Sequence, residues 1–246
     1  MTGDGAEPFV SRCILVPHDY FFFTSYGFKD TIMNEYIGNY SIMYAINRHN
    51  AEVHHNAAST IPRYDSDIQK FTIYATPAQP LRGSTWLGLS QRKISWDWQE
   101  QVGITFNSIY TIWNSPQPPA NEKINLPAMG KKYRIPPLNA FQFFSVGGKP
   151  EGVVRIGKKF ASARIYSHRL QVEKKDQGFV RPDHPVNPRD LNGHFQVIRA
   201  RVITQFPPLL VDCEIGPVEF LVCRESDKTY NIVLPSRGTY SSVTFP

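Results

Sequence analysis

The stretch from Val153 to Arg169 constrains the fold more than any other part of the chain. It begins with a short apolar run, reaches Gly157 and two lysines, and continues as an alternating run that contains Arg164. Alternation with a period of two residues is typical of a half-buried strand, and a glycine between two such runs favours a tight turn. The sequence therefore predicts a strand, a basic turn and a second strand.

Positive charge is concentrated around this predicted hairpin. The 246-residue chain carries 27 Lys and Arg against 21 Asp and Glu. Residues 131–169 hold nine basic residues and one acidic residue, whereas residues 1–130 hold nine against eleven and residues 170–246 nine against nine. One segment thus carries the whole excess, which is typical of a face that binds a polyanion. A solvated lysine-rich surface is the alternative.

Frequent prolines and glycines, 20 and 16 of them, favour short strands and turns over long helices. The best helical pattern begins at Asp30 or Thr31 and ends near Arg48. Its apolar residues recur at the spacing of one buried stripe. The sequence therefore predicts an α+β fold in which one amphipathic helix follows the first strand. The stripe consists of Met33, Tyr36, Ile37, Tyr40, Met43 and Tyr44.

The segment at 91–137 has a texture of its own. Ile104 to Trp113 is rich in strand-forming residues, a proline-rich stretch follows at 114–121, and Lys131 to Ile135 can form a returning arm. This pattern predicts a long β-hairpin with an irregular, projecting tip, and an irregular surface loop is the alternative.

Other strands are predicted on both sides of that hairpin. Lys174 to Asn192 is predicted to be a proline-rich connection between the strands at 163–172 and 195–206. We expect a flexible tail at 1–10 and a single domain at 11–246, with a hairpin insertion at 91–137 and a β-rich part at 195–246. The predicted strands are 12–25 (with a bulge or a bend), 71–76, 86–89, 141–146, 153–156, 163–172, 195–206, 218–223 and 230–234.

Cysteine usage and hydropathy indicate the cellular compartment in which the protein is expected. The three cysteines show no CxxC spacing, so a reducing compartment, the cytoplasm, is expected. No apolar run of about 18 residues predicts a membrane span. The first ten residues lack the basic and apolar regions of a signal peptide.

Common catalytic and metal-binding motifs are not found in the sequence. His49, His54 and His55 are close together, but no Cys or carboxylate pattern completes a zinc site. No phosphate-binding glycine loop, nucleophile elbow or paired-carboxylate motif is present. We therefore expect no metal and no cofactor.

Two sets of residues could act on or bind nucleic acid. His18 and Tyr20 flank Asp19 on an interrupted strand, and such a set can activate a ribose 2′-hydroxyl without a metal; a structural histidine at a strand bend is the alternative. The second set interleaves cations that neutralise phosphates with aromatic rings that stack on unpaired bases, which suits single-stranded RNA. It comprises Lys131, Lys132, Tyr133, Arg134, Arg155, Lys158, Lys159, Phe160, Arg164, Tyr166, His168 and Arg169.

Several segments, in their order and spacing, resemble a known family. They are 16–24 (Val-Pro-His-Asp-Tyr-Phe-Phe-Phe-Thr), 36–45, Pro62-Arg63-Tyr64, 74–78, 155–158 with 162–164, and 184–188 (His-Pro-Val-Asn-Pro). Across about residues 12–206 the chain is similar to the small Cascade subunit of type I-D CRISPR systems, the Csc-one type of the Cas-five family within the RAMP superfamily. The segment at 91–139 matches least.

The resemblance implies an RRM-like (ferredoxin-like) antiparallel sheet with a projecting β-hairpin thumb. It also implies a subunit that caps the 5′ handle of the CRISPR RNA and seats the Cas-seven type backbone subunit and the large subunit, so that the complex recognises target DNA in antiviral defence. The turn at 157–159 would contact phosphate, and Arg63 with Tyr64 would make a second contact. No membrane partner is implied.

Some relatives in another subtype cut precursor RNA with a Tyr, Lys and His set. Here Lys158 is followed by Lys159 rather than His, so that set is not recovered, and a non-catalytic role is favoured. A metal-independent endoribonuclease and a structural protein without nucleic acid are the alternatives. The predicted RNA-binding residues are His18, Tyr20, Arg63, Tyr64, Lys131, Lys132, Arg134, Arg155, Lys158, Lys159 and Arg164.

Overall fold

A computed structural model of the protein describes residues 9–22, 30–31, 34–47, 67–86, 93–110, 126–157, 161–191, 194–205 and 207–236. Within them the chain is mostly β-structure with one α-helix. The strands and the helix, in chain order, are β1 (Val10–Pro17), β2 (Asp30–Thr31), α1 (Asn39–Ile46), β3 (Tyr74–Ala75), β4 (Gln79–Pro80), β5 (Gly83–Trp86), β6 (Lys93–Trp96), β7 (Val102–Tyr110), β8 (Leu126–Arg134), β9 (Phe141–Val146), β10 (Gly152–Ile156), β11 (Ala161–Arg169), β12 (Gln171–Val180), β13 (Gln196–Ile203), β14 (Leu209–Glu225) and β15 (Lys228–Val233).

A six-stranded antiparallel sheet is built from strands between Val10 and Arg169. Its strand order is β10-β11-β1-β9-β3, and β4 also pairs with β9. β1 is central: Leu15 lies between Ile165 of β11 and Phe141 of β9. This position explains why β1 is buried along its whole length and why its sequence is an almost continuous apolar run.

The two faces of β1 contribute to different parts of the core. Cys13 and Leu15 belong to the main cluster, which also contains Ile42 and Met43 of α1. Ile14 on the opposite face belongs to a smaller cluster with Val16, Ala140, Trp96 and Tyr166. Tyr166 is thus partly buried against the body, which limits the aromatic surface that β11 offers to a ligand.

The predicted helix is present but shorter than its sequence pattern. α1 begins after Gly38, and the prediction of a start at Asp30 or Thr31 is wrong. Those two residues instead form β2, which pairs in parallel with Lys131 and Lys132. Ile37 exchanges backbone hydrogen bonds with Ala78 at 3.0 and 2.9 Å, so the segment before α1 is extended.

The predicted hairpins are confirmed where the structure describes them. β10 pairs with β11, from Gly152 opposite Ile165 to Ile156 opposite Ala161. β7 pairs with β8 along its whole length, from Val102 opposite Arg134 onwards. The proline-rich tip at 114–121 and residues 158–160 lie outside the described residues.

A second sheet follows in the C-terminal part. Strand β14 pairs with β12 on one side, and with β13 and β15 on the other. The predicted single strand at 163–172 is wrong because β11 ends at Arg169, and from Gln171 onwards the chain pairs with β14 of the second sheet. The predicted connection at 174–192 is also wrong, since residues 174–180 belong to β12. That edge strand is polar because most of its side chains face solvent.

The remaining predicted strands differ from the structure mainly in length. Between residues 71 and 76 only β3 forms, after a short 3₁₀ helix at Ile68–Lys70. Two predicted strands at the C-terminal end become the hairpin of β14 and β15, of which β14 starts nine residues before the predicted Val218. The described residues contain no helix long and apolar enough to cross a membrane.

One buried ion pair joins the two sheets. Arg12 of β1 contacts both carboxylate oxygens of Glu225 of β14, through Nε at 2.7 Å and Nη2 at 2.9 Å. The hydroxyl of Tyr230 donates to the same carboxylate at 3.2 Å, and its ring lies 5.2 Å from that of Phe144 in β9. The C-terminal sheet therefore covers one end of the central sheet.

A buried polar cluster joins α1, β3 and the turn at 187–190. Asp190 accepts hydrogen bonds from Asn39 at 2.6 Å and from the hydroxyl of Tyr74 at 3.0 Å. Asn187 donates to the side chain of Asn39 at 2.9 Å. Two segments that carry the family resemblance, 36–45 and 184–188, meet in this cluster. Asn39 and Asn187, which belong to these segments, therefore have a structural role.

Candidate nucleic-acid interface

Three segments that the sequence analysis singled out converge at one end of the central sheet. Phe21 and Ile135 exchange two backbone hydrogen bonds of 2.9 Å, which places the chain after β1 beside the end of β8. The N–H of His18 donates to the carbonyl oxygen of Ser162 at 2.9 Å, which places the same segment beside the β10–β11 turn. The described ends of the two basic regions, at 132–135 and at 155–157 with 161–164, therefore meet around residues 18–22.

Gly157 fixes the approach of the basic turn. Its φ is +82°, a left-handed conformation that favours glycine. A Cβ at this position would lie 3.0 Å from the carbonyl oxygen of Phe22 and 3.2 Å from the ring of Phe21. Both the backbone conformation and the close packing therefore require glycine here, and Gly157 is held against the segment that follows β1.

The described cations of this end lie on two neighbouring elements. The ammonium group of Lys132 in β8 lies 5.9 Å from the ring centroid of Phe22, and Arg134 is partly exposed. Arg155 and Arg164 are exposed on the hairpin of β10 and β11. Because Arg155 lies opposite Ser162 and Arg164 opposite Val153, the two arginines project from the same face of that hairpin.

His18, Asp19 and Tyr20 form an exposed bend directly after β1. Asp19 accepts a hydrogen bond from the N–H of Tyr20 at 2.6 Å, which stabilises the bend. Tyr20 is 41% exposed. The bend therefore offers an imidazole and a phenol ring to solvent at the point where the basic segments meet.

Other predicted site residues cannot be placed. Arg63, Tyr64, Lys158 and Lys159 lie outside the described residues, as do His49, His54 and His55. Of Lys131 the structure describes the backbone alone, in β8 opposite Thr105. Their roles stay predictions.

Arg169 and His168 diverge from the rest of the basic stretch. Arg169 lies over the ring of Phe9 at 4.9 Å from its centroid, at the opposite end of β11 from the basic turn. His168 lies 3.7 Å from Glu225, next to the buried ion pair. The basic stretch thus contributes its first half to the interface, and its last two residues lie at the junction with the C-terminal sheet.

Leu138 was missed by the sequence analysis. It follows two prolines between β8 and β9, and its N–H donates to the carbonyl oxygen of Pro17 at 3.0 Å. Its side chain is 64% exposed, beside the bend at 18–20. Hydrophobicity predicts burial, so nothing in the pattern of residues marks this leucine as a surface group.

Two ionisable groups with strongly shifted pKa values, His184 and Cys13, are buried within the fold. Val233 donates its N–H to Nε2 of His184 at 3.1 Å, and Nδ1 contacts the carbonyl oxygen of Pro185 at 2.7 Å. Burial lowers the pKa of His184 to about 4, so the ring is neutral at pH 7. Burial raises the pKa of the Cys13 thiol to about 11, which makes it a poor nucleophile.

Metal-binding geometry is not found in the described part of the chain. No group of three or more His, Cys, Asp or Glu side chains in the described ranges could hold a metal ion. The chemistry offered by the interface is that of cations, a phenol, an imidazole and apolar side chains, which suits phosphate and base contacts.

Comparison with solved structures finds a distant similarity. One similar chain comes from the cryo-EM structure of the type III-B Cmr-beta complex bound to cognate target RNA and AMPPnP. The two chains are 9% identical, the match covers 91% of this chain and 84% of that chain, and the TM-score is 0.38. No curated protein matches this chain.

Comparison with protein families gives a match over nearly the whole chain. Residues 8–240 match the family described as type I-D CRISPR-associated protein Cas5/Csc1. The match includes both sheets, the β7–β8 hairpin and every residue of the interface described above. The chain therefore belongs to the type I-D CRISPR-associated Cas5/Csc1 family.

Proposed function

We propose that this protein is a non-catalytic RNA-binding subunit of a type I-D CRISPR surveillance complex and that it caps the 5′ handle of the CRISPR RNA. The observation that carries the proposal is the convergence of two basic segments on the exposed bend at 18–20. Binding would use the exposed or partly exposed Lys132, Arg134, Arg155 and Arg164, with His18 and Tyr20. Lys131, Lys158, Lys159, Arg63 and Tyr64 complete the proposed set.

The strand order supports an RRM-like core. Strands β11, β1, β9 and β3 are neighbours in that order, and α1 connects β1 to β3. This is the arrangement of a ferredoxin-like sheet, except that β10 replaces the second helix. The face opposite α1, which binds RNA in RRM domains, is largely covered here by Trp96 and Tyr230. We therefore place RNA at the end of the sheet and along the outer β10–β11 hairpin.

The domain organisation belongs to the same proposal. Residues 11–246 would form one RAMP-type domain, with the β7–β8 hairpin as a thumb within 91–137 and the β-rich C-terminal part as its second layer. The thumb and the C-terminal sheet would seat the backbone and large subunits, so contact with target DNA would be indirect. Deletion of 114–125 should spare folding, measured by urea unfolding, but reduce recovery of the other subunits. Loss of folding would show that the tip is part of the core.

A matched pair of double variants tests RNA binding. Lys158→Ala with Lys159→Ala removes two adjacent lysines from the proposed interface. Lys174→Ala with Lys175→Ala removes two adjacent lysines that lie within 2.7 Å of Asp176 and 3.0 Å of Glu219 on β12 and β14. Both variants lower the net charge equally, so a difference between them reports position rather than total charge.

The readout is the affinity for a labelled 5′-handle RNA across a range of salt concentrations. For single-stranded RNA each lost phosphate contact should reduce the slope of log affinity against log salt by about 0.7. We expect a reduced slope for the 158/159 variant and an unchanged slope for the 174/175 variant. Equal slopes in the two variants, or no binding by the wild type at low salt, would contradict the proposal.

Incubation of the protein with repeat RNA in EDTA tests the non-catalytic assignment. We expect the RNA to remain intact. Site-specific cleavage by the wild type that disappears in His18→Ala or Tyr20→Phe would assign the bend at 18–20 to a metal-independent endoribonuclease instead.

A further inference from the structure

Leu138 combines two features that rarely occur together. Its φ is +69°, in the left-handed region that leucine seldom adopts, and 64% of its surface is exposed. A positive φ is tolerated by glycine or asparagine, so leucine reduces the stability of this turn. An exposed leucine also gains little from hydrophobic burial. The fold alone therefore gives no reason for this residue.

The backbone on both sides holds Leu138 in this conformation. Pro136 and Pro137 restrict the chain before it. After it, Asn139 is buried and its side chain makes two hydrogen bonds with the backbone of Gln99, at 2.8 and 2.9 Å. The N–H of Leu138 itself is bonded to Pro17. The side chain is therefore displayed in a fixed direction rather than on a free loop.

Leu138 lies beside the proposed RNA interface. The hydrogen bond between Leu138 and Pro17 and the pair between Ile135 and Phe21 align residues 18–20 with residues 136–138. His18 and Tyr20 are exposed on the same bend. Leu138 belongs to none of the hydrophobic clusters found among the described residues.

We infer that Leu138 is an apolar RNA contact that packs against an unstacked base of the bound single-stranded RNA. The inference rests on the proposed RNA-binding function. Apolar side chains that contact or separate bases are a recurrent device of nucleic-acid recognition, and aromatic neighbours such as Tyr20 support a flanking base. The cations at Lys132 and Arg134 would hold the phosphates that lead to it.

Nucleic acid fits this position better than a protein partner. Among the described residues, the exposed large apolar side chains at this end are Leu138, Tyr20, Val102 opposite Arg134 and Val153 opposite Arg164, so both valines lie beside a cation. A protein interface core would be a larger apolar patch depleted of charge. Exposed apolar side chains interspersed with cations match bases that alternate with phosphates along a single strand.

Leu138→Gly gives a test in which stability and binding should move in opposite directions. Relief of the positive φ should raise the melting temperature. Loss of the side chain should weaken binding of the 5′-handle RNA by roughly tenfold, the scale of a lost base contact. The salt slope should not change, because no phosphate contact is removed. Glycine could also weaken binding by loosening the turn, and Leu138→Asn controls for this effect. Asparagine tolerates the positive φ without the flexibility of glycine, so this variant should weaken binding to a similar degree.

Abasic substitution at each position of the handle RNA locates the contact. The wild type should lose affinity sharply at one abasic position, and Leu138→Gly should lose nothing further at that position. Ile198→Thr, on the exposed edge of the C-terminal sheet, serves as the control and should behave as the wild type does.

The outcomes separate this inference from the proposed function. If the wild type does not bind handle RNA, the proposed function fails. If the wild type binds handle RNA, but Leu138→Gly binds the intact RNA and every abasic RNA with the same affinity as the wild type, the inference alone is wrong. Normal RNA binding with loss of a co-purifying subunit would assign Leu138 to a protein contact and would also overturn it.

Discussion

The basic end of the central sheet and the C-terminal sheet are both rich in Lys and Arg, but they differ in whether these cations pair with carboxylates of the same chain. In the C-terminal sheet most of the basic side chains face carboxylates within the chain, and Lys228 is the exception among the described residues. At the basic end, Arg134 and Arg164 form no ion pair with the described residues. The pairs of the C-terminal sheet are Lys174–Asp176 at 2.7 Å, Lys175–Glu219 at 3.0 Å, Arg181–Glu214 at 2.8 Å, Arg201–Asp212 at 3.0 Å and Arg224–Glu173 at 3.5 Å.

This difference separates charges that serve the fold from charges available to a ligand. Residues 170–246 carry equal numbers of acidic and basic residues, whereas residues 131–169 carry a single acidic residue, Glu151, which pairs with Lys149. A cation with a carboxylate neighbour must exchange that partner to bind phosphate, and a cation without one need not. We therefore expect substitutions at the junction and in the C-terminal part to change stability, and substitutions at the basic end to change binding.

The largest stability effect is expected at the buried ion pair between the sheets. Glu225→Gln removes the carboxylate charge that contacts Arg12, a side chain that is 4% exposed. Loss of one partner of a buried pair costs about 3 kcal/mol or more, because the remaining charge stays desolvated. Urea unfolding measures this change in the free energy of unfolding.

Glu214→Gln is the matched control for Glu225→Gln. Glu214 pairs with Arg181 and Arg199, which are 65% and 59% exposed. Exposed pairs contribute at most about 1 kcal/mol, so this variant should be nearly as stable as the wild type. Similar losses in both variants would mean that the junction is no more important than the surface of the sheet.

A smaller effect is expected from His184, whose two ring nitrogens are both bonded within the C-terminal part. Its pKa of about 4 in the folded protein lies below its usual 6.5. As pH falls below 6.5 the unfolded chain takes up a proton that the folded protein excludes, so stability falls. Between pH 7 and pH 5 the loss should be about 2 kcal/mol. Unfolding measured at several pH values checks the slope.

His184→Gln keeps an amide donor and acceptor but removes the titration. The variant should be less stable than the wild type at pH 7 and should lose less stability on going to pH 5. Burial also raises the pKa of neighbouring Asp183, but both proteins carry this residue, so its contribution cancels in the comparison. An unchanged pH slope would show that His184 is not excluded from water.

Much of the central sheet could be predicted from the sequence because its strands are locally marked. β1 contains the apolar run from Cys13 to Val16, β9 is followed by a glycine pair, and the hairpin of β10 and β11 alternates around Gly157. The pairing of β7 with β8 could be predicted because a proline-rich stretch separates two strand-forming runs. These signals lie within a few residues of one another along the chain.

The failures arise where long-range pairing decides the local structure. β12 contains few apolar residues, yet it is a strand because β14 offers it a backbone to pair with. The residues before α1 fit the pattern of a buried helical stripe. They are extended instead, because Asp30 and Thr31 pair with β8 and Ile37 pairs with Ala78. In the candidate site, the meeting of residues 18–22 with 135–138 and with Gly157 and Ser162 depends on contacts more than 100 residues apart in sequence. No pattern within one segment could predict that meeting.

A further test asks whether the basic turn must be held against the segment after β1. Gly157→Ala places alanine at a positive φ and brings its Cβ close to the carbonyl oxygen of Phe22. Gly152→Ala also places alanine at a positive φ, +100°, but its Cβ would have no atom within 4 Å. The conformational cost of about 1 kcal/mol is common to both. We expect Gly157→Ala to cost about 1 kcal/mol more in urea unfolding and to weaken binding of handle RNA. Equal costs would mean that the close approach at Phe22 does not constrain the turn.

The smallest stability changes are expected from exposed arginines, and these variants test the comparison most directly. Arg134→Ala with Arg164→Ala should change the free energy of unfolding by less than about 1 kcal/mol. The slope of log affinity against log salt for handle RNA should fall by about 1.4 if both arginines contact phosphate. Arg199→Ala with Arg201→Ala removes the same charge from side chains that are 59% and 57% exposed but lie near carboxylates. This control should also be stable, with an unchanged slope. A control that lowers the slope as much as the first variant would show that paired arginines are as available to RNA as unpaired ones, and the distinction between the two regions would fail.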